Sequence, residues 1–143
     1  MRQIVFVLIS LVLLLASGCK NQMNLSTILS KIDGQKWAVT SLSGNTLDPN
    51  VYNEFKGLPE LTFSDDGVIS GHSGCNGFRA NFKTDDKGKI EIRPGAMTKM
   101  FCRGVDETGF LEAINSTVSL EMDKEELLLV DSAGTEKMRL KKI

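Results

Sequence analysis

Leu58-Pro59-Glu60-Leu61-Thr62-Phe63-Ser64-Asp65-Asp66-Gly67-Val68-Ile69-Ser70-Gly71-His72 spells out a strand, a tight turn and a second strand. Leu61 and Phe63 stand two residues apart, the period of a strand with one buried face. Asp65-Asp66-Gly67 supplies the residues a hairpin turn needs, so the chain is expected to fold back into Val68–His72. The pattern continues downstream. Phe78, Ala80 and Phe82 share one face of the next strand, while Arg79, Asn81 and Lys83 take the other. Asp85-Asp86-Lys87-Gly88 turns the chain into Lys89–Arg93, which carries Ile90 and Ile92, and Pro94-Gly95 is expected to end that strand.

Outward from this block the same reading holds. Lys36–Leu42 alternates, with Trp37, Val39 and Ser41 on one side and Ala38, Thr40 and Leu42 on the other, until Gly44-Asn45 breaks it. Near the C-terminus, Val118, Leu120 and Met122 alternate. Leu127–Val130 is apolar throughout, as in a strand buried on both faces. Met138 and Leu140 oppose Arg139 and Lys141. Between Asp106 and Ser116 the spacing changes: Phe110, Leu111 and Ile114 form a helical stripe, with Asp106 as N-cap and Glu107 suited to the first turn. Strands at roughly ten-residue intervals with one late helix imply an α+β domain. Its sheet is mostly antiparallel and curled towards a barrel, with the helix covering an open end.

The N-terminus predicts location. Met1-Arg2-Gln3 is a basic start, Ile4–Leu15 is apolar, and Ala16-Ser17-Gly18 precede Cys19. This is the pattern of a secretory signal (residues 1–18) ending in a lipobox, with Cys19 the lipidated mature N-terminus. The apolar run is too short for a transmembrane anchor. An ordinary cleaved signal would explain the small residues but has no need of a cysteine after Gly18. Residues 19–31 read mainly as the lipidated N-terminus and a polar tether, with room for a helical turn before the domain begins, and Leu25, Ile28 and Leu29 scattered among serines and Thr27. The domain itself is placed at 32–143. A lipid-anchored protein of the bacterial cell envelope, at the outer membrane, is the expectation.

Removing residues 1–18 takes away Arg2 and leaves 16 basic against 18 acidic side chains. That overall balance offers no electrostatic case for nucleic acid or an anionic membrane surface as partner, and attachment to a membrane falls to the lipid rather than to a basic patch. With Cys19 assigned, Cys75 and Cys102 remain as an even pair in an oxidising compartment. A disulfide between them would close a loop of about 26 residues, worth roughly 3–4 kcal/mol. Two free buried thiols are the alternative, since sequence separation alone does not bring the Cα atoms into range.

Gly71-His72-Ser73-Gly74-Cys75-Asn76-Gly77-Phe78 packs three glycines and an asparagine around a cysteine, a sharp corner in the chain. Twenty residues later comes Met97-Thr98-Lys99-Met100-Phe101-Cys102. Several features in this order resemble the META domain (HslJ-like) family: Trp37 on the first strand, then Leu61-x-Phe63, then Gly71-x-x-Gly74-Cys75-Asn76-x-Phe78. Thr98-x-Met100-x-Cys102 follows, then Glu112 within the helix and paired apolar strands at the end. The resemblance spans about residues 32–142. Phe101 departs from it, as a small residue is usual before that cysteine. The resemblance implies an envelope or secreted domain, often on bacterial lipoproteins and sometimes linked to stress or antibiotic tolerance. It further implies a cracked antiparallel barrel similar to pilot lipoproteins, with no established catalytic site.

The residues themselves offer little chemistry. His72, the only histidine, could join Cys75 and Cys102 as zinc ligands, but no fourth ligand is evident and a disulfide would consume the thiols. No nucleophile elbow surrounds any serine, and Asp65-Asp66 and Asp85-Asp86 read as solvated turn formers rather than an acid/base pair. No catalytic residue, metal or cofactor is therefore expected. The expectation is a non-enzymatic domain that binds an unknown protein or small apolar ligand near the Gly71–Phe78 corner and the Thr98–Cys102 segment, or serves a structural, stress-related role. An alternative is a carrier or pilot holding an acyl chain or amphipathic helix in a barrel cavity lined by Phe78, Phe82, Phe110 and Leu111.

Overall fold

A computed structural model describes residues 23–143, so the signal segment 1–18 and the lipidation site Cys19 lie outside the described residues. The elements follow in order as α1 Leu25–Ile32, β1 Lys36–Leu42, β2 Asn45–Thr46, α2 Pro49–Asn53, β3 Glu60–Ser64 and β4 Val68–His72. Then come β5 Gly77–Thr84, β6 Ile90–Met97, α3 Glu107–Ser116, β7 Thr117–Asp123, β8 Glu126–Asp131 and β9 Glu136–Lys142. The strands form one antiparallel sheet in the order β6-β5-β4-β3-β1-β9-β8-β7, with β2 folded against β1. Its two ends, β6 and β7, approach one another without ladder pairing, which makes the sheet a curled, cracked barrel. The expected α+β class is what the chain adopts.

The hairpin at Asp65-Asp66-Gly67 pairs Ser64 with Val68 and Glu60 with His72, as the alternation requires. Phe78 and Ala80 face the core from β5 while Arg79 and Asn81 face solvent. In β1 the expected alternation breaks at a bulge: Val39 pairs Leu140 and Ser41 pairs Arg139, leaving Thr40 as the extra residue. The bulge moves Ser41 off the core face and turns Leu42 onto it. The strand expected to stop at Pro94-Gly95 instead runs on to Met97. Pro94 is tolerated because β6 is an edge strand, and a second bulge opposite Arg79 absorbs the irregularity.

α3 begins where the capping pattern places it, with the Asp106 carboxylate accepting from the Gly109 N–H at 2.8 Å. It packs against β1, β6, β8 and β9, and Phe110, Ala113 and Ile114 are wholly buried. The late helix thus turns one face into the core, while Thr108, Glu112 and Asn115 on the other stay exposed.

The segment read as a tether behaves differently. Asn24 caps α1 by accepting from Thr27 N–H at 2.9 Å, and Leu25, Ile28 and Ile32 enter the central core. These three recur at helical spacing, and the serines and Thr27 occupy the outer face. The helix lies against β3 and β7, so the folded unit starts near Asn24 rather than at residue 32.

Candidate functional site

The β4–β5 connection, Ser73–Asn76, is buried throughout, and the glycines in it and just before it are required by close approach. A Cβ at Gly71 would run into the Glu60 carbonyl on the neighbouring strand, and one at Gly74 into the ring of Tyr52. Gly74 also has φ +91°, which L side chains rarely adopt. α2 is thereby pressed onto the corner. Its Tyr52 is buried, and the Tyr52 hydroxyl accepts from Asp106 N–H at 3.4 Å. Burial raises the Tyr52 pKa above its usual value.

Cys75 and Cys102 form a disulfide with Cα atoms 5.9 Å apart, closing a separation of 27 residues. Of the two alternatives left open above, the bond is the one the chain adopts. It staples the corner to the loop between β6 and α3.

Asn76 makes the second connection. Fully buried, its Oδ1 accepts from the Thr98 hydroxyl at 2.8 Å and from Met100 N–H at 2.7 Å. Its Nδ2 donates to the Met100 carbonyl at 3.0 Å and to the Glu107 carboxylate at 2.9 Å. Both lone pairs and both amide hydrogens are thus used, the full capacity of the side chain. Thr98 Oγ1 in turn accepts from Gly77 N–H at 3.0 Å. Ser73 Oγ donates to Glu107 and accepts from Asn76 N–H at 3.0 Å. One carboxylate at the start of α3 therefore ties together Ser73, Asn76 and, through Asn76, the 98–100 strand extension.

This arrangement brings together Gly71, Gly74, Cys75, Asn76, Thr98, Met100 and Cys102 from the motif. Trp37 stands apart in the core on β1, its indole N–H buried without a partner. Phe78 packs edge-on against Phe110 with ring centroids 5.4 Å apart. Glu112, quoted above with the family features, is exposed on the outer face of α3. Glu107 is the acid that reaches the corner, a role that its first-turn position alone does not reveal.

His72 sits beside the corner. Its Nδ1 accepts from Gly74 N–H at 3.1 Å, and its Nε2 lies 3.7 Å from Glu60 Oε2. Burial holds its pKa below the usual histidine value, against an opposing pull from Glu60. With both thiols bonded to each other, His72 has no thiolate partners for zinc or for nucleophilic chemistry. Among the described residues no group of three or more His, Cys, Asp or Glu could hold a metal ion.

What the corner does offer is exposed apolar surface. Met100 is 54% and Phe101 91% exposed, on a loop fixed by Asn76 on one side and the disulfide on the other. Phe55, 39% exposed, follows α2 on the neighbouring loop, where Lys56 N–H donates to the Gly74 carbonyl at 3.2 Å. The alternative of an apolar cavity lined by Phe78, Phe82, Phe110 and Leu111 finds Phe78 and Phe110 packed against each other in the core. Phe82 instead contacts Phe63 and borders a shallow surface groove beside Leu29 of α1.

A curled antiparallel sheet of this order, with the glycine-cysteine-asparagine corner bonded to the second cysteine, defines an α+β cracked-barrel domain. The chain belongs to the META domain family, whose model matches residues 30–142. No curated protein matches it. Among solved structures, it is similar to an NMR structure of a protein from Burkholderia xenovorans, with TM-score 0.65 and 19% identity over 89% of this chain and 93% of that one. A second NMR structure matches with TM-score 0.59 and 20% identity, covering 79% of this chain and 92% of that one. A crystal structure of a DUF4847 family protein from Bacteroides vulgatus gives TM-score 0.54 and 17% identity, covering 80% and 96%. At these identities the likeness is one of fold.

Proposed function

We propose that this protein is a non-enzymatic lipoprotein of the bacterial cell envelope, held at the outer membrane by acyl chains on Cys19, whose stapled corner is its binding surface. The observation that carries the reading is the rigid display of Met100 and Phe101. An apolar loop fixed by a disulfide and a saturated asparagine loses little further freedom on meeting a partner. Three features support binding over catalysis: the paired thiols, the occupied Nδ1 of His72, and the commitment of Glu107 to Asn76 and Ser73. Among the described residues no helix is long and apolar enough to cross a membrane, so attachment in this reading rests on Cys19.

Mass spectrometry of the protein extracted from its own membranes tests this. The expected product starts at an acylated Cys19 and is two hydrogens lighter than the dithiol. Cys19→Ala should accumulate as unprocessed precursor. Normal processing and unchanged membrane retention of Cys19→Ala would overturn the anchoring.

A further inference from the structure

We infer that the loop Lys99-Met100-Phe101-Cys102-Arg103 is a second membrane contact, in which Phe101 and Met100 enter the headgroup layer of an anionic bilayer and Lys99 and Arg103 pair with lipid phosphates. The inference rests on the lipid-anchored reading above and names the partner of the same corner.

The loop has the chemistry of an interfacial tip. Phe101 and Met100 are the two most exposed large apolar side chains of the loop region, and a basic residue stands on each side of Met100-Phe101-Cys102. Lys56 adds a third cation on the adjoining loop beside the partly exposed Phe55. The acids of α3's first turn are occupied, Asp106 in capping the helix and Glu107 in holding Asn76 and Ser73. Glu54 remains as the exposed acid beside Phe55. Apolar side chains ringed by lysine and arginine match the layering of an anionic membrane surface, where long basic side chains reach phosphates while apolar groups sink below them.

Size decides between occupants. Protein partners of ordinary affinity cover about 800 Å² on each side, and a second copy of this chain would need the same. A tip of two or three side chains covers far less, yet a bilayer demands no matching shape. The chain also limits where the tip can go. Because α1 is docked on the barrel from Leu25, only four peptide units separate Cys19 from Met23, a reach of about 14 Å at most. The acylated domain would stay at the membrane surface, where a weak second contact gains from high effective concentration. The start of α1 lies beside the Thr84–Gly88 turn at one end of β5, and the tip lies beyond Gly77 at the other. Those ends are about 23 Å apart along an eight-residue strand. Two contacts with one bilayer would therefore lay the barrel along the surface rather than upright on it.

The test uses the full acylated protein carrying Phe101→Trp, reconstituted into vesicles of phosphatidylcholine and phosphatidylglycerol with brominated acyl chains. Trp37, 2% exposed, contributes a constant background read from the unsubstituted protein. The introduced indole is expected to shift to the blue and be quenched by the brominated chains. Lys99→Gln and Arg103→Gln should each lower the ratio of inserted to free tip about fivefold. Vesicle flotation without quenching would overturn the tip contact and leave the acyl anchor standing. Failure to float would remove both. Equal quenching in pure phosphatidylcholine would overturn the pairing with anionic lipid, and a concentration-dependent blue shift without vesicles would assign the loop to self-association instead.

Discussion

The Asn76 amide lies 2.9 Å from both oxygens of the Glu107 carboxylate, across 31 residues of chain. With the Ser73 hydroxyl, which donates to the same carboxylate, it joins the β4–β5 corner directly to the first turn of α3.

Asn76→Ala removes four hydrogen bonds and leaves the Met100 backbone groups and Glu107 to find water at a buried site. We expect a loss of about 3 kcal/mol, from unsatisfied groups costing about 1–3 kcal/mol each with partial relaxation. Chemical denaturation measures it. In a double-mutant cycle with Glu107→Gln the two effects should be clearly non-additive, and simple additivity would show that the contact carries no coupling.

Reduction of Cys75–Cys102, or Cys75→Ala with Cys102→Ala, removes the constraint on a 27-residue separation. Loop-closure entropy places the cost at roughly 3–4 kcal/mol. Amide exchange should speed up most in the segment 98–105, while β3 and β4 stay protected. Uniform loss of protection would show that the staple supports the whole barrel rather than the corner.

His72 gives the corner a defined response to acid. Its folded pKa is depressed, chiefly by burial and also by Lys56 and Lys36, with Glu60 opposing. The unfolded chain therefore takes up the proton first as pH falls. The stability from neutral His72 is complete above the ordinary histidine pKa, about 6.5, and declines as pH drops through it towards the lower folded value. Protonation also removes the lone pair that accepts from Gly74 N–H. Melting temperatures of the parent and His72→Gln proteins between pH 8 and pH 5 should diverge only in the acidic half of that range. Parallel curves would rule the residue out as the cause.

α1 offers a direct contrast between core helix and polar tether. Ile28 is 1% exposed, so Ile28→Ala should cost about 3 kcal/mol, the usual range for emptying a buried aliphatic site. Ser30→Ala, on the exposed face, should change stability by less than about 0.5 kcal/mol. Equal, negligible effects in urea melts would return residues 25–31 to the status of a linker.

The strands were legible because alternation and turn chemistry agree. Leu61-x-Phe63 followed by Asp65-Asp66-Gly67 leaves few other conformations, and the structure pairs Ser64 with Val68 across that turn. Asp106 announced α3 for the same reason. α1 was harder to read because short polar residues dilute the stripe formed by Leu25, Ile28 and Ile32, and only docking on the barrel reveals that stripe as core. The run through Pro94 was hidden because tolerance of proline depends on β6 being an edge, a property of the sheet and not of the segment. At the corner, the glycines, Asn76 and both cysteines stood out locally. Glu107 and Tyr52 did not: a glutamate in a first turn has a sufficient explanation in the helix dipole, and the segment around Tyr52 has no periodicity to mark it. Their roles arise only when distant stretches meet.

β1 lies between β3 and β9, so the first long strand is joined along one side by the last. Thr40 of β1 donates to the Arg139 carbonyl, 99 positions later, and Ile143 N–H closes on the Lys36 carbonyl. A chain emerging from its N-terminus thus holds an open, half-paired sheet until its final residues arrive, with slow, non-local closure as the last event. Loss of even the terminal strand would leave β1 and β8 as exposed edges flanking the hydrophobic interior, a form suited to aggregation or degradation rather than to partial function.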